Sequence, residues 1–197
     1  MKLDLKKDLL QKEIPTNKWL WKDTQPEVIR NLSVDVEIPL NKENELIMKK
    51  LIDFVRYSQD LELNKKENED YLRPAVGLAA PQIGNNVNMF FARFEWDVEE
   101  FALVNAKITA KSDQICCLSD GEGCLSVDKN HKGLVPRNYK IQVQGYDWLK
   151  KEEVDLTLRG YHAIVFQHEL EHNKGQLYYD RINKEDPNFQ DENWIII

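Results

Sequence analysis

Two histidine residues late in the chain have a spacing that suits metal binding. His168 and His172 are four positions apart, so on a helix their side chains lie on the same face. Two imidazoles placed in this way can bind one metal ion, and the carboxylate of Glu169 can reach a water molecule on that ion. The same spacing also arises by chance on solvated helices, and a catalytic zinc-type site needs a third protein ligand and an open position.

A cysteine in the middle of the chain is the predicted third ligand. Cys124 lies between glycine residues and a short apolar run, a loop-to-strand position where a thiolate could be presented. A structural cysteine more often lies inside an apolar strand, as Cys117 does. One thiolate and two imidazoles leave a fourth position for water, whose pKa the metal lowers towards neutrality. This donor set suits zinc, iron(II), nickel or cobalt.

The neighbours of the two histidines predict a buried helix. Apolar side chains lie on more than one side of it: Tyr161, Ala163, Ile164, Val165, Phe166 and Leu170. Gly175 is the predicted helix stop, and Lys174 favours the C-terminal end of the dipole. An ionisable cluster in such a helix costs several kcal/mol unless a charged group satisfies it. A metal ion would do so.

The periodicity elsewhere predicts an α+β fold, with antiparallel or mixed β-sheets packed around the histidine helix. An additional N-terminal helix is predicted from near Asn41, a good N-cap, to about Gln59. Alternating apolar residues predict strands over residues 87–117, and a hairpin over 139–158 that turns at 147–151. Pro26 and Pro39 bracket a predicted extended piece, and residues 60–73 are expected to form a solvated loop.

Length and composition indicate one globular domain in a reducing compartment. The 197 residues suit a single domain over 1–197, with an N-terminal arm at 1–24 and a C-terminal tail at 188–197. A formal charge of −7 argues against sequence-independent nucleic-acid binding. We expect no membrane span, because no apolar run approaches roughly 20 residues, and no secretory signal. The odd count of 3 cysteines favours the cytoplasm.

A short apolar segment before the predicted strands carries one polar side chain, Gln82. Pro81 forces the preceding residue into extended geometry, which predicts a rigid strand end or turn. Gly77 leaves room for another backbone or a ligand to approach closely. The alternative is a tight packing corner in which Gln82 bonds only to backbone.

Three motifs in this order resemble the peptide deformylase family. They are Val76-Gly77-Leu78-Ala79-Ala80-Pro81-Gln82, Glu122-Gly123-Cys124-Leu125-Ser126 and Gln167-His168-Glu169-Leu170-Glu171-His172. The long loops before Gly77 and between Cys124 and Arg137 resemble the larger-loop branch of Gram-positive bacteria and mycoplasmas. Two positions depart from the family pattern: Ala75 replaces a glycine, and Glu171 replaces an aspartate. Alanine is tolerated only at negative φ, and the longer acid affects metal affinity or ligand orientation more than the reaction itself.

The resemblance implies a role for each site residue. Cys124, His168 and His172 would bind the metal, ferrous iron in the cell, with zinc, nickel or cobalt in purified protein. Glu169 would be the general acid and base for attack by metal-bound hydroxide. The Gln82 amide and the Leu125 N–H would stabilise the oxyanion. The substrate would contact six further residues: Gly77, Gly123, Tyr161, Ile164, Val165 and Arg137.

The implied substrate is the N-formyl group of a nascent polypeptide that begins with formyl-methionine, so the enzyme would work near the ribosome. The methionine side chain would enter a pocket beside the helix, and the peptide would lie along Gly77 like an added strand. Two alternatives remain: a zinc peptidase, or an impaired relative that only binds metal. A peptidase of this type needs a third ligand C-terminal to the helix, but His162 lies upstream of the motif and His131 far away in a loop, so Cys124 is the better third ligand.

Overall fold

Two β-sheets carry the fold. A computed structural model describes residues 4, 7–96 and 99–197. A five-stranded sheet has the order β1-β2-β3-β6-β7, and a three-stranded sheet has the order β5-β4-β8. The strands are β1 (Gly77–Ala79), β2 (Met89–Phe94), β3 (Glu99–Lys111), β4 (Ile115–Cys117), β5 (Arg137–Asn138), β6 (Lys140–Asp147), β7 (Glu152–Arg159) and β8 (Ile195–Ile196). All neighbours in the larger sheet are antiparallel, whereas β8 runs parallel to β4.

The described residues form three α-helices, α1 (Pro26–Ile29), α2 (Lys42–Ser58) and α3 (Gly160–His172). Short 3-10 helices cover Asn17–Trp19, Ala80–Ile83 and Tyr178–Arg181. The side chain of Asn41 accepts a hydrogen bond from the backbone N–H of Asn44 and so caps α2 as expected. The predicted α+β class is confirmed, including the additional N-terminal helix.

The larger sheet lies between α2 and α3. Because neighbouring residues of a strand point to opposite faces, Phe91 of β2 packs on the α2 side with Met48 and Leu51, whereas Phe90 packs on the α3 side against Phe166. Around β2 both faces of the sheet are therefore covered, which makes β1 and β2 rigid supports for whatever lies beside α3.

The helix α3 is buried on nearly all sides. Its first residue, Gly160, has a φ of 55°, which lets the chain leave β7 and turn directly into the helix. The helix ends at His172, and Gly175 follows with a φ of 66°. Phe166 anchors the helix to the sheet, with its ring centroid 5.2 Å from those of Phe90 and Phe101.

Two sequence predictions about loops were incomplete. Residues 26–39 are not simply extended, because Pro26 occupies the first turn of α1, where its missing N–H is harmless. The predicted solvated loop at 60–73 contains Leu72, which is buried in the core beside α2 and whose carbonyl accepts from the Asn64 amide at 2.6 Å. At the chain's start, Leu3 and Leu5 of the predicted arm lie outside the described residues.

The final residues pair with the second sheet rather than lying loosely on the surface. Cys116 and Cys117 of β4 face Ile195 and Ile196 of β8 in parallel register. The backbone N–H of Ile197 donates to the Cys117 carbonyl at 2.9 Å. Across the described ranges, every helix is too short or too polar to cross a membrane.

Candidate active site

Three side chains from two distant segments meet beside α3. The Cys124 sulfur and one ring nitrogen each of His168 and His172 all lie within 4.8 Å of one another. The Cys124 Sγ is 3.3 Å from Nε2 of His172, and the two imidazole centroids are 5.0 Å apart. The structure therefore brings the three predicted metal ligands together.

The sulfur comes from a loop, as predicted, but this loop leads into a turn and not into the strand that the sequence predicted after it. Residues 121–124 have no regular structure, and Leu125 and Ser126 form a turn. The turn folds back because the Val127 N–H donates to the Cys124 carbonyl at 3.3 Å. Two groups also point at the sulfur, the Ser126 N–H at 3.3 Å and the Gln82 amide nitrogen at 3.6 Å. Cysteine binds metals through its sulfur as the thiolate, which accepts hydrogen bonds of this kind.

A buried carboxylate fixes the orientation of His168. Glu122 Oε2 lies 2.8 Å from Nδ1 of His168, which leaves the other ring nitrogen for the cysteine. Arg137 holds Glu122 in turn, donating from Nε at 2.8 Å and from Nη2 at 2.9 Å. Burial alone would raise the pKa of Glu122, but the charge of Arg137 lowers it to about 2. Glu122 is thus a permanent anion behind the ring.

The position of Arg137 corrects its predicted substrate contact. Its side chain is fully buried, 0 % exposed, and lies between Glu122 and Glu171 rather than on the wall of the cavity. Nη1 donates to Glu171 Oε2 at 2.5 Å, and the other oxygen of Glu171 accepts from Arg181 Nε at 2.6 Å. Arg137 therefore supports the ligand residues from behind. A chain of long-range ion pairs of this kind leaves no local signal in the sequence.

The electrostatics of the three side chains fit a cation. Burial lowers the pKa of His172 well below its ordinary value, so this ring is neutral, as a metal ligand must be. Burial also opposes protonation of His168, but hydrogen bonds with Cys124 and Glu122 raise its pKa well above the ordinary value. Cys124, His168 and His172 together thus favour one positive charge between their ligand atoms. A divalent ion between the same atoms would take the place of the proton on His168.

Glu169 is buried beside this group, and one of its carboxylate oxygens makes no hydrogen bond to the described residues. The residue is 4 % exposed, and burial raises the pKa of its carboxyl to about 7. Oε2 has no hydrogen-bond partner among the described residues. A buried carboxylate oxygen without a partner is rare and is usually satisfied by water or ligand. A carboxyl group with a pKa near neutrality can both accept and release a proton at working pH.

Gly77 makes room for that carboxylate. A Cβ atom built on Gly77 would lie 2.7 Å from Cδ and 2.8 Å from Cγ of Glu169, closer than real contacts allow. The glycine is therefore required by the close approach of a side chain, in addition to the ligand approach that the sequence predicted. Ala75, the departure nearby, does not have a positive φ, which explains why alanine is tolerated there.

The Gln82 side chain is held so that its amide nitrogen faces the cysteine. Its Oε1 accepts a hydrogen bond from the Ala79 N–H at 2.8 Å, which fixes which end of the amide points inwards. Gln82 is 2 % exposed and lies in the 3-10 turn that follows β1. The alternative, in which Gln82 bonds only to backbone, holds for its Oε1 but not for its amide nitrogen, which contacts the Cys124 sulfur.

One cavity of about 310 Å³ opens on these groups. A volume of this size accommodates a small ligand or one amino-acid side chain with its neighbouring atoms. Its walls include the three catalytic candidates Gln82, Leu125 and Glu169, and five of the six predicted substrate contacts, Gly77, Gly123, Tyr161, Ile164 and Val165. Cys124 and His168 also line it, whereas Arg137 does not.

Two residues at the site were not singled out by the sequence analysis. Glu122 belongs to a recognised motif, but only the 2.8 Å contact with His168 shows what it does. Arg73 is exposed, lines the cavity and reaches towards Gly123, with its guanidinium nitrogens 3.9 Å from a Cβ built on that glycine. An arginine in a polar loop gives no sequence signal for such a position.

The fold and the site together define a metal-dependent hydrolase, with a sulfur and two imidazoles grouped beside a buried carboxylate. Residues 18–188 match the family model described as polypeptide deformylase. The peptide deformylase of Oceanobacillus iheyensis is 40% identical over 176 residues, which cover 87% of this chain and 93% of the relative. Peptide deformylase 2 of Geobacillus stearothermophilus is 43% identical over 175 residues, covering 87% and 92%.

Solved structures show the same likeness. The crystal structure of peptide deformylase from Thermus thermophilus superposes with a TM-score of 0.65 at 27% identity, covering 84% of this chain and 86% of the other. The chain belongs to the peptide deformylase family. The predicted resemblance is confirmed, and the curated relatives from Gram-positive bacteria agree with the predicted branch.

Proposed function

We propose that this chain removes the N-formyl group from the N-terminal formyl-methionine of newly made polypeptides, releasing formate and a free amino terminus. One observation carries the proposal: the ligand atoms of Cys124, His168 and His172 lie within 4.8 Å of one another, and Cys124 and His168 line the cavity that Glu169 also lines. Membership of the deformylase family supports the reaction type.

Cys124, His168 and His172 would hold one divalent cation. When bound, the cation supplies Lewis acidity that makes water a nucleophile near neutral pH. We propose ferrous iron in the cell, with zinc, nickel or cobalt in purified protein, because a thiolate with two imidazoles suits all four. Oxidation of the Cys124 sulfur would destroy the donor set.

Glu169 moves the proton. Its partnerless Oε2 would accept the proton of the attacking water and then deliver it to the amine nitrogen that leaves. A pKa of about 7 suits both halves of this task, because the carboxylate is present in quantity and its conjugate acid is not too weak.

Two donors would stabilise the oxygen of the formyl group as it gains negative charge. One is the Gln82 amide nitrogen, which already points at the Cys124 sulfur. The other is the backbone N–H of Leu125, the next residue along the loop. Losing one such donor typically raises the barrier by about 3–4 kcal/mol.

The cavity would receive the methionine side chain. Tyr161, Ile164 and Val165 line it from α3, and their surfaces suit an unbranched, polarizable side chain. The substrate backbone would extend beside Gly77, because β1 is an edge strand whose outer side can accept another strand. Residues 1–197 would act as one domain in the cytoplasm, close to the ribosomes that produce the substrate.

Formate release from a formyl-methionyl peptide tests the proposal. Protein purified without oxygen and loaded with iron should release formate, and an internal peptide bond should stay intact. Glu169→Ala should keep the metal and lose most turnover, whereas Cys124→Ser should lose metal affinity. Metal-loaded protein without formate release would reject the proposal, and loss of metal from Glu169→Ala would make Glu169 a ligand instead.

A further inference from the structure

The segment Trp21–Asp23, which precedes α1, touches both loops that carry the proposed oxyanion donors. The Trp21 N–H donates to the Gln82 carbonyl at 2.8 Å. The Asp23 N–H donates to the Ser126 carbonyl, also at 2.8 Å. Two backbone bonds from this short segment thus tie the Gln82 turn to the cysteine loop. The two loops are far apart in sequence and share only the Gln82–Cys124 contact at 3.6 Å among the hydrogen bonds of the described residues.

Lys22, in the middle of this segment, bonds directly to the cysteine loop. Its Nζ donates to the Leu125 carbonyl at 2.6 Å. The side chain is half-buried, and no carboxylate of the described chain forms an ion pair with it. A charged donor at a backbone carbonyl makes a hydrogen bond roughly twice as strong as a neutral one. The bond is therefore a firm constraint on Leu125.

The constraint acts on the peptide that directly follows the second donor. The Leu125 carbonyl is held by Lys22, while the Ser126 N–H is held by the Cys124 sulfur at 3.3 Å. The preceding peptide, which carries the Leu125 N–H, is held as well, because its Cys124 carbonyl accepts from the Val127 N–H at 3.3 Å. With the peptides on both sides of Leu125 held, its N–H is kept in one direction, as a preorganised donor requires.

The other end of the segment is locked by packing. The turn after Gln82 ends at Gly84, whose φ is 86°. A Cβ there would lie 3.1 Å from ring carbons of Trp21, so the indole fills the space beside this glycine. Asp23 adds a contact on the far side, where its Oδ1 accepts from the Asp128 N–H at 3.1 Å. Trp21–Asp23 is thus a rigid brace rather than a loose arm.

We infer that the brace Trp21–Asp23 positions the two oxyanion donors, and that Lys22 is a positioning residue for the Leu125 N–H. The inference rests on the proposed function, because it assigns a task to residues outside the cavity in that same reaction. Lys22 acts through Leu125 and need not touch the substrate.

Substitution of Lys22 tests this inference by separating kcat from KM. In Lys22→Met the apolar stem remains and the charged donor is lost. We expect kcat for a formyl-methionyl peptide to fall about tenfold, less than the roughly 10²–10³-fold loss that follows deletion of an oxyanion donor itself. KM, metal content and the midpoint temperature of unfolding should stay near those of the wild type. Lys22→Arg, which keeps a charged donor, should recover most of kcat.

Lys18 provides a matched control. It lies four residues earlier in the same part of the chain and is exposed, so Lys18→Met removes an equal charge without touching the cysteine loop. Its kcat should equal that of the wild type.

The outcomes separate this inference from the proposed function. A wild-type protein that releases no formate would overturn both. An active wild type whose Lys22→Met variant keeps its kcat within about twofold would overturn only the role of Lys22. Equal losses in Lys22→Met and Lys22→Arg together with lost metal would also overturn it, because the bond would then serve only to fold the loop.

Discussion

At the scale of single residues, the site depends on atoms that approach more closely than sequence patterns reveal. Gly77 is an example, since its missing side chain is what lets the Glu169 carboxylate lie against β1. The sequence indicated that a glycine at this point leaves space, but the space is already used by Glu169, the residue proposed to move the proton.

Gly77→Ala should therefore impair catalysis more than folding. The new methyl group would push the Glu169 carboxylate away from its position, and displacements of about 1 Å at a reacting group can lower rates by roughly 10²-fold. We expect kcat for formate release to fall by about that factor while metal content is retained. Gly123→Ala is the comparison, because a Cβ there meets only Arg73, at 3.9 Å, and should reduce kcat much less. Equal effects of the two changes would contradict this explanation.

Glu171, where the family has an aspartate, spans two arginines. Oε2 binds buried Arg137 and Oε1 binds Arg181, whose side chain is 35% exposed. The extra methylene lets one carboxylate reach both.

Glu171→Asp should leave turnover within several-fold. The shorter acid would keep Arg137 and give up Arg181, at a cost of about 1 kcal/mol for a partly exposed pair. Urea unfolding and formate release measure the two effects. A large gain in activity would show that the natural glutamate impairs the enzyme, and loss of the metal would show that both arginines must be bound.

At the scale of elements, the long periodic segments were predictable and the irregular ones were not. The stripe in α2 and the alternation in β6 and β7 each specify which face is buried, so their bounds came out within a few residues. In contrast, α1 consists of only four residues and depends on a proline in its first turn.

The candidate site shows the same division. His168 and His172 could be assigned to one face of α3 from their spacing alone. The other predicted site residues, such as Gln82 and Cys124, were identified by the motifs that contain them. The loop conformation of Cys124 could not be predicted, because it is set by hydrogen bonds from Ser126 and from distant Lys22. The burial of Arg137 could not be predicted either, because it depends on the carboxylates of Glu122 and Glu171 in two other segments.

The anchoring of α3 leads to a prediction about stability. Phe166 is fully buried among Phe90, Phe94 and Phe101. Phe166→Leu should lower the free energy of unfolding by about 1–2 kcal/mol, since it removes buried area and the edge-to-face contacts. Phe189→Leu is the control, because Phe189 is 45% exposed and its replacement should change stability by less than about 0.5 kcal/mol. Chemical denaturation measures both, and similar losses would contradict the assigned anchor.

At the scale of the whole molecule, the site joins segments from almost the full length of the chain. The cysteine loop lies between β4 and β5, the histidines are on α3, and the brace precedes α1. A cation held by Cys124, His168 and His172 would therefore link the loop to α3 as well as serve the reaction.

Metal removal should accordingly destabilise the fold. A ligand at 100 times its dissociation constant adds about 2.7 kcal/mol to the free energy of unfolding, which corresponds to roughly 5–10 °C in a protein of this size. A chelator should lower the midpoint temperature of the wild type by that amount. The Cys124→Ser variant should respond little. An unchanged midpoint in wild-type protein that demonstrably lost its metal would show that the cation contributes nothing to the fold.

The order in which a ribosome delivers these segments has a consequence for the cell. A growing chain that has just exposed its cysteine loop possesses a sulfur but still lacks both imidazoles, because α3 is translated later. With the proposed ligand set, half-made copies would be inert, however many are in synthesis. When protein production accelerates, the supply of working enzyme is set by molecules completed earlier.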